Sequence, residues 1–229
     1  MTLNITSMQE LVDRARGLIA DGRRAILGLV GAPGAGKSTV SAALAAELNT
    51  GLNTGLNAEL GAPQTVVVPM DGFHLSNELL RDYGLADVKG HISTFDGAGY
   101  AALLERIANQ RDDEIVYAPR FDRTLEETIG SAIPVDASIP LVITEGNYLL
   151  SDGAAWERAR ATLTESWFIE VPQDLRLRWL IDRNVAHGRS IEAAREWVFR
   201  SDEANARLVM QTSDRADVRV TLPVRDLAP

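Results

Sequence analysis

Short apolar runs alternate with longer segments of helical period along this chain. Ala25–Val30, Thr65–Pro69, Pro140–Glu145 and Ser166–Val171 are each five or six residues rich in Val, Ile, Leu or aromatics, and they read as buried strands. Ile115–Pro119 and Asp217–Leu222 read as two more strands. Between them lie segments of a different period. Ser7-Met-Gln-Glu10 has capping-box spacing, and Leu11, Ala15, Leu18 and Ile19 recur on one helical face until Gly22. Thr39–Leu48, Leu75–Tyr83, Tyr100–Asn109 and a segment around Trp156 also predict helices. Asp174–Ala186 and Ile191–Gln211 predict two more, separated by His187-Gly-Arg-Ser190. Lys89–Asp96 is irregular. The tandem duplication Asn49-Thr-Gly-Leu-Asn-Thr-Gly-Leu56 predicts a loop. Strands alternating with helices predict an α/β fold, with a mostly parallel sheet covered by helices on both faces. No linker rich in Pro, Gly or Ser divides it, so one domain over residues 1–229 is expected.

Composition narrows the partners. The formal net charge of −9 argues against nucleic acid or an anionic membrane, which call for a broad basic surface. There is no cysteine, so disulfides and thiolate metal sites are excluded. His74, His91 and His187 are too scattered to suggest a zinc site. No apolar run is long enough to span a membrane, and the N-terminal residues lack the pattern of a signal peptide. A cytoplasmic protein is expected.

One stretch carries chemistry on its face. Gly31-Ala32-Pro33-Gly34-Ala35-Gly36-Lys37-Ser38 fits G-x-x-x-x-G-K-[ST] between a strand and a helix, the phosphate-binding P-loop. Glycines let backbone N–H groups close on phosphate oxygens, and the helix N-terminus adds partial positive charge. These residues with Thr39 would bind ATP, Lys37 reaching the β- and γ-phosphates and Ser38 holding Mg²⁺. The expected fold is therefore the three-layer P-loop NTPase architecture. A guanine-specific Asn-Lys-x-Asp segment is missing, which disfavours a GTPase. Asp96-Gly-Ala-Gly99 matches a short switch pattern only by chance, since it follows no strand.

Polar residues at strand ends suggest a second substrate. Asp71 follows Thr65–Pro69, where a carboxylate could orient and deprotonate an acceptor hydroxyl; an Asp-Gly turn is the plainer reading. Glu145 ends its strand and would serve Mg²⁺ or the acceptor, or cap the junction. Asp96 stands directly before a helix, as an N-cap does. Arg176 and Arg178 fit a solvated basic face, whereas Arg183 and Arg189 beside the Gly188 break fit a lid that closes over phosphates.

Taken together these clusters resemble the P-loop small-molecule kinases that include uridine kinase, phosphoribulokinase and bacterial pantothenate kinase, from Ile26 to Leu222. The likeness is greatest to a bacterial uridine-kinase-like, fructokinase-like branch. Met70-Asp-Gly-Phe-His74 is similar to the segment bearing that group's catalytic base, which implies Asp71. Lys89-Gly-His-Ile-Ser-Thr-Phe-Asp96 resembles an acceptor-binding stretch, implying Lys89 and Asp96. Pro119-Arg-Phe-Asp122 resembles the group's acceptor loop, and with Arg123 and His74 it implies an acceptor pocket. Ile143-Thr-Glu-Gly-Asn147 resembles the Walker B strand, and Arg183 with Gly188-Arg189 the lid arginines of a segment at about 178–200. Ala216-Asp-Val218 resembles a segment beside the adenine. The resemblance departs after Asp122, where Arg123-Thr-Leu-Glu-Glu replaces the His and Arg of nucleoside kinases, so the acceptor stays unassigned. The expectation is an ATP- and Mg²⁺-dependent kinase acting on the hydroxyl of a small polar metabolite, with a homodimer left open. An ATP-binding regulatory module without an acceptor is the alternative.

Overall fold

The computed structural model describes residues 3–50 and 63–223. In chain order the regular elements are β1 (Leu3–Ile5), α1 (Met8–Leu18), β2 (Ala25–Val30), α2 (Lys37–Thr50), β3 (Thr65–Pro69), α3 (Asn77–Asp82), α4 (Gly97–Ala108), β4 (Ile115–Asp122) and β5 (Glu127–Asp136). There follow β6 (Leu141–Gly146), α5 (Ala154–Ala161), β7 (Glu165–Ile169), α6 (Gln173–Ala186), α7 (Ile191–Trp197), α8 (Glu203–Met210) and β8 (Val218–Val220). Residues 51–56 of the duplicated stretch lie outside the described residues.

Six strands form one sheet in the order β1-β8-β7-β2-β6-β3, and every neighbouring pair is parallel. β2 and β6 are buried along their whole length, which explains their unbroken apolar sequences. Leu27, Leu29, Ile143 and Trp167 join Leu11 and Ala15 of α1 and Val40 and Leu44 of α2 in one cluster. Val30 and Phe168 join Tyr100 and Leu104 of α4 and Trp156 of α5 in another. The result is an α/β three-layer fold with helices on both faces.

Parallel pairing collects the C-terminal ends of the strands on one edge, the usual ligand edge of such sheets. Register sets Glu145 of β6 level with Leu29 of β2 on one side and Pro69 of β3 on the other. The sequence segments carrying the P-loop, Asp71 and Glu145 thus meet although more than a hundred residues separate the first from the last.

Two strands escape the sequence reading. β1 is three residues long and pairs with β8, and β5 pairs antiparallel with β4 in a hairpin apart from the main sheet. β4 accordingly runs on to Asp122, and the register shifts between Ala118 and Arg120, where Pro119 stands against the three residues Gly130, Ser131 and Ala132 of β5. Ile191–Gln211 is not one regular helix, because a π-helical turn, Val198–Asp202, separates α7 from α8. Ala216-Asp-Val218 lies at the start of β8, on the edge opposite the P-loop. There Asp217 accepts hydrogen bonds from Ser166 N–H and O–H at 2.8 and 2.7 Å, away from the edge where the P-loop lies.

Candidate active site

The P-loop connects β2 to α2. Gly34 has φ 78°, and a Cβ there would stand 2.7 Å from Leu180 Cγ of α6, so only glycine fits this turn. Lys37, the first residue of α2, is 8 % exposed. Its ammonium donates to the carbonyls of Gly31 (3.0 Å) and Ala32 (3.2 Å) and to Asn147 Oδ1 (2.7 Å), which uses all three of its N–H bonds. Burial pushes its pKa down, and the charges of Glu145 and Asp71 push it back up. Ser38 donates its hydroxyl to Glu145 Oε1 at 2.8 Å. Burial raises the Glu145 carboxyl above the usual range, Asp71 raises it further, and Lys37 opposes both.

Two adjacent oxygen ligands, Ser38 Oγ and Glu145 Oε1, suit a small hard cation that draws its remaining ligands from water and phosphate, as Mg²⁺ does. Among the described residues no group of three or more His, Cys, Asp or Glu side chains could hold a metal by itself. That fits a cation shared with a nucleotide and not a dedicated protein cage.

A cleft of about 700 Å³ opens over these residues. Asp71 lies two residues past the end of β3, in a tight 3₁₀ turn, Met70–Phe73. A Cβ on Gly72 would meet the Pro119 carbonyl at 2.5 Å, so this glycine lets the turn sit directly on β4. Arg123 at the hairpin contacts Asp71 Oδ2 at 3.3 Å. His74 Nδ1 is 2.8 Å from the Asp71 carbonyl, and its ring packs against Phe95 (4.0 Å between centroids) and Phe121 (4.8 Å). Lys89 sits 5.0 Å over the Phe121 ring and donates to Asn77 Oδ1 and the Glu126 carbonyl, each at 2.7 Å. Asp71, His74, Lys89 and Arg123 therefore share one wall of the cleft. Gly34, Lys37, Ser38, Thr39 and Glu145 line it from the P-loop side, and Arg183 and Arg189 from the helical side. Arg189, just after the break at Gly188, stacks 4.2 Å over Trp197 at the end of α7.

Other candidates fall elsewhere. Asp96 does not line the cleft; it caps α4, its Oδ1 accepting from Gly99 N–H at 2.8 Å. Asp122 does not line it either, because its carboxylate accepts from the N–H groups of Thr124 and Leu125 at 2.9 and 3.1 Å and so shapes the hairpin turn. Ala32 and Ala35 line a second, smaller cavity with Ile169, Pro172, Arg176 and Thr221. Arg176 is not on a solvated face: it is buried, ion-paired with Glu203 of α8, and donates to the Pro33 carbonyl at 3.2 Å. Sequence reasoning also passed over Asn147, Asp202 and Asn205, which line the large cleft. Only Asn147 carried a signal, being next to Glu145-Gly146.

The comparisons agree with this geometry. The model of the Phosphoribulokinase / Uridine kinase family matches residues 26–228. Uncharacterized protein YggC of Escherichia coli is 33 % identical over 200 residues, spanning 87 % of this chain and 78 % of that protein. A solved structure from Silicibacter sp. TM1040, named "putative fructose transport system kinase", is 34 % identical, with a TM-score of 0.79 over 96 % of this chain and 100 % of that one. YFH7 of Saccharomyces cerevisiae shares the fold at 19 % identity, with a TM-score of 0.82 over 95 % and 99 % of the two chains. A strand–P-loop–helix unit with its buried Lys37 and Ser38–Glu145 pair, set in a chain that matches almost from end to end, makes this protein a P-loop kinase of the phosphoribulokinase and uridine kinase family.

Proposed function

We propose that this kinase transfers the γ-phosphoryl group of ATP to a hydroxyl of a small polar metabolite. The observation that carries the reading is the shared cleft: the P-loop side and a polar wall holding Asp71 face the same space. A nucleotide-binding module without an acceptor has no use for the second wall. Lys37 and the loop amides would hold the phosphates, and the adenine would occupy the cavity lined by Ile169, Pro172 and Thr221. Ser38 and Glu145 would hold Mg²⁺, which supplies charge neutralisation at the phosphates. Asp71 would orient the acceptor hydroxyl and take its proton as the new oxygen–phosphorus bond forms and the bond to ADP breaks. His74, Lys89 and Arg123 would position the acceptor, and Arg183 and Arg189 would meet the charge on the transferred group. Such an enzyme works where ATP is made, in the cytoplasm, and needs no nucleic acid or membrane.

The printed name of the Silicibacter relative supports including ketohexoses among the acceptors tried. A panel of sugars, nucleosides and pantothenate, scored for acceptor-dependent ADP release, tests the proposal. At least one compound should accelerate release. A flat response across the panel would favour the regulatory module instead.

A further inference from the structure

The π-helical turn Val198–Asp202 inserts an extra residue between α7 and α8 and so changes the direction in which the following side chains point. It brings Asp202 to the cleft, and Asn205, three residues on and hence on the same helical face, reaches the cleft as well. Both are deeply set, at 9 % and 4 % exposure. Asp202 Oδ2 has no hydrogen-bond partner. An orphan buried acceptor costs about 1–3 kcal/mol, so its retention beside a cleft calls for a partner that arrives from outside. Of the neighbouring cations, Arg176 is engaged by Glu203 and Arg189 by the face of Trp197; Arg183 lines the cleft near enough to act on the Asp202 charge but makes no hydrogen bond to it among the described residues. Asn205 stands across from Gly90, its Nδ2 3.9 Å from where a Cβ on that glycine would be. Gly90 adjoins Lys89 on the acceptor wall, where His74, Phe95 and Phe121 form an aromatic surface.

We propose that Asp202 and Asn205 form the edge that recognises the acceptor, and that the acceptor is a neutral polyhydroxylated compound, a sugar or sugar alcohol. This rests on the kinase reading. An ionised carboxylate only accepts hydrogen bonds, so it selects donors, and its two oxygens match two neighbouring hydroxyls. Its terminal torsion is soft, so a small rotation turns the orphan oxygen toward the ligand. Asn205 offers a donor and an acceptor to the next hydroxyl. The aromatic surface of His74, Phe95 and Phe121 suits the apolar C–H face of a sugar. A phosphate or carboxylate at this end would instead meet the charge of Asp202 and be repelled.

Calorimetric titration of the ADP–Mg²⁺ complex with a ketohexose, a pentose, a hexitol, a hexose phosphate and pantothenate tests this without requiring turnover. At least one neutral compound should bind. Its Kd should rise about tenfold or more in Asp202→Asn, which keeps the side-chain shape, and by a similar factor in Asn205→Ala, with ADP affinity unchanged in both. The proposal is overturned if nothing binds, if only the anionic compounds bind, or if the neutral ligand binds both variants as tightly as the natural chain. A polyol that binds in this Asp202-dependent way but is never phosphorylated when ATP replaces ADP would refute the kinase reading alone.

Discussion

Asp71 is held by the turn it sits in and by Arg123, 3.3 Å away, and makes no hydrogen bond to the P-loop among the described residues, so its replacement tests chemistry with the loop's hydrogen bonds left in place. Asp71→Asn should keep ATP affinity and lower turnover by about 10² or more; a variant with unchanged kcat would remove Asp71 from the role of base. His74 offers a pH readout. Burial depresses its pKa below the ordinary 6.5, against the opposing charge of Asp71. Between the depressed folded value and 6.5 the unfolded chain binds the extra proton, so stability is full above 6.5 and falls as pH drops below it. The slope reaches at most about 1.4 kcal/mol per pH unit from this one group. Urea titrations from pH 7.5 to 5 should show that decline, and His74→Gln should flatten it. Single residues were unevenly legible in the sequence. Lys37 and Ser38 are fixed by a motif whose geometry is local. Asp96 and Asp122 looked like pocket residues, yet both satisfy nearby backbone N–H groups, a use that short carboxylates favour wherever a helix or turn begins.

The P-loop and α8 are coupled as elements through α6. Leu180 packs where a side chain on Gly34 would be, and Arg176 ties the Pro33 carbonyl to Glu203 of α8. Gly34→Ala should lower ATP affinity about tenfold or more, since both the positive φ and the clash with Leu180 oppose it; equilibrium binding of a fluorescent ATP analogue measures this. Arg176→Ala leaves the buried Glu203 without its cation, with only the Gln173 amide still donating to it, and should cost about 3 kcal/mol in urea unfolding. Replacing both partners, Arg176→Met with Glu203→Leu, should recover most of that loss; a double variant as unstable as the single one would show that the pair is not the cause. Elements were legible where burial writes a pattern. β2 and β6, buried on both faces, read as continuous apolar runs. β1 has only three residues with Ile5 buried, and β5 carries Gly130 and Pro134 along a largely uncovered hairpin, so neither shows the alternation that marks a strand. Arg176 and Asp202 share a blindness of another kind: a charged residue on a helix reads as solvent-facing until its neighbours are known.

For the whole molecule, ligand binding should appear as stability. At an ATP–Mg²⁺ concentration one hundred times Kd the midpoint should rise by the equivalent of about 2.7 kcal/mol, with a smaller rise for GTP and for ATP without Mg²⁺. Equal shifts with ATP and GTP would contradict the preference for adenine. The P-loop fold was legible because its motif, its flanking strand and helix and the alternation of elements all agree. The wall of the cleft proposed to take the acceptor was not, because it is assembled from α3, the hairpin and the π-helical turn, which no local pattern brings together. Lys37 gives the P-loop a further property. Its three donors are already occupied by Gly31, Ala32 and Asn147, so an incoming anion must replace what the loop supplies to itself. A lone inorganic phosphate can displace one or two of those contacts and leaves the remainder competing with it. A chain of linked phosphates displaces them together. Selection among anions at this loop is therefore an exchange, favouring an anion whose oxygens can replace more of these contacts at once.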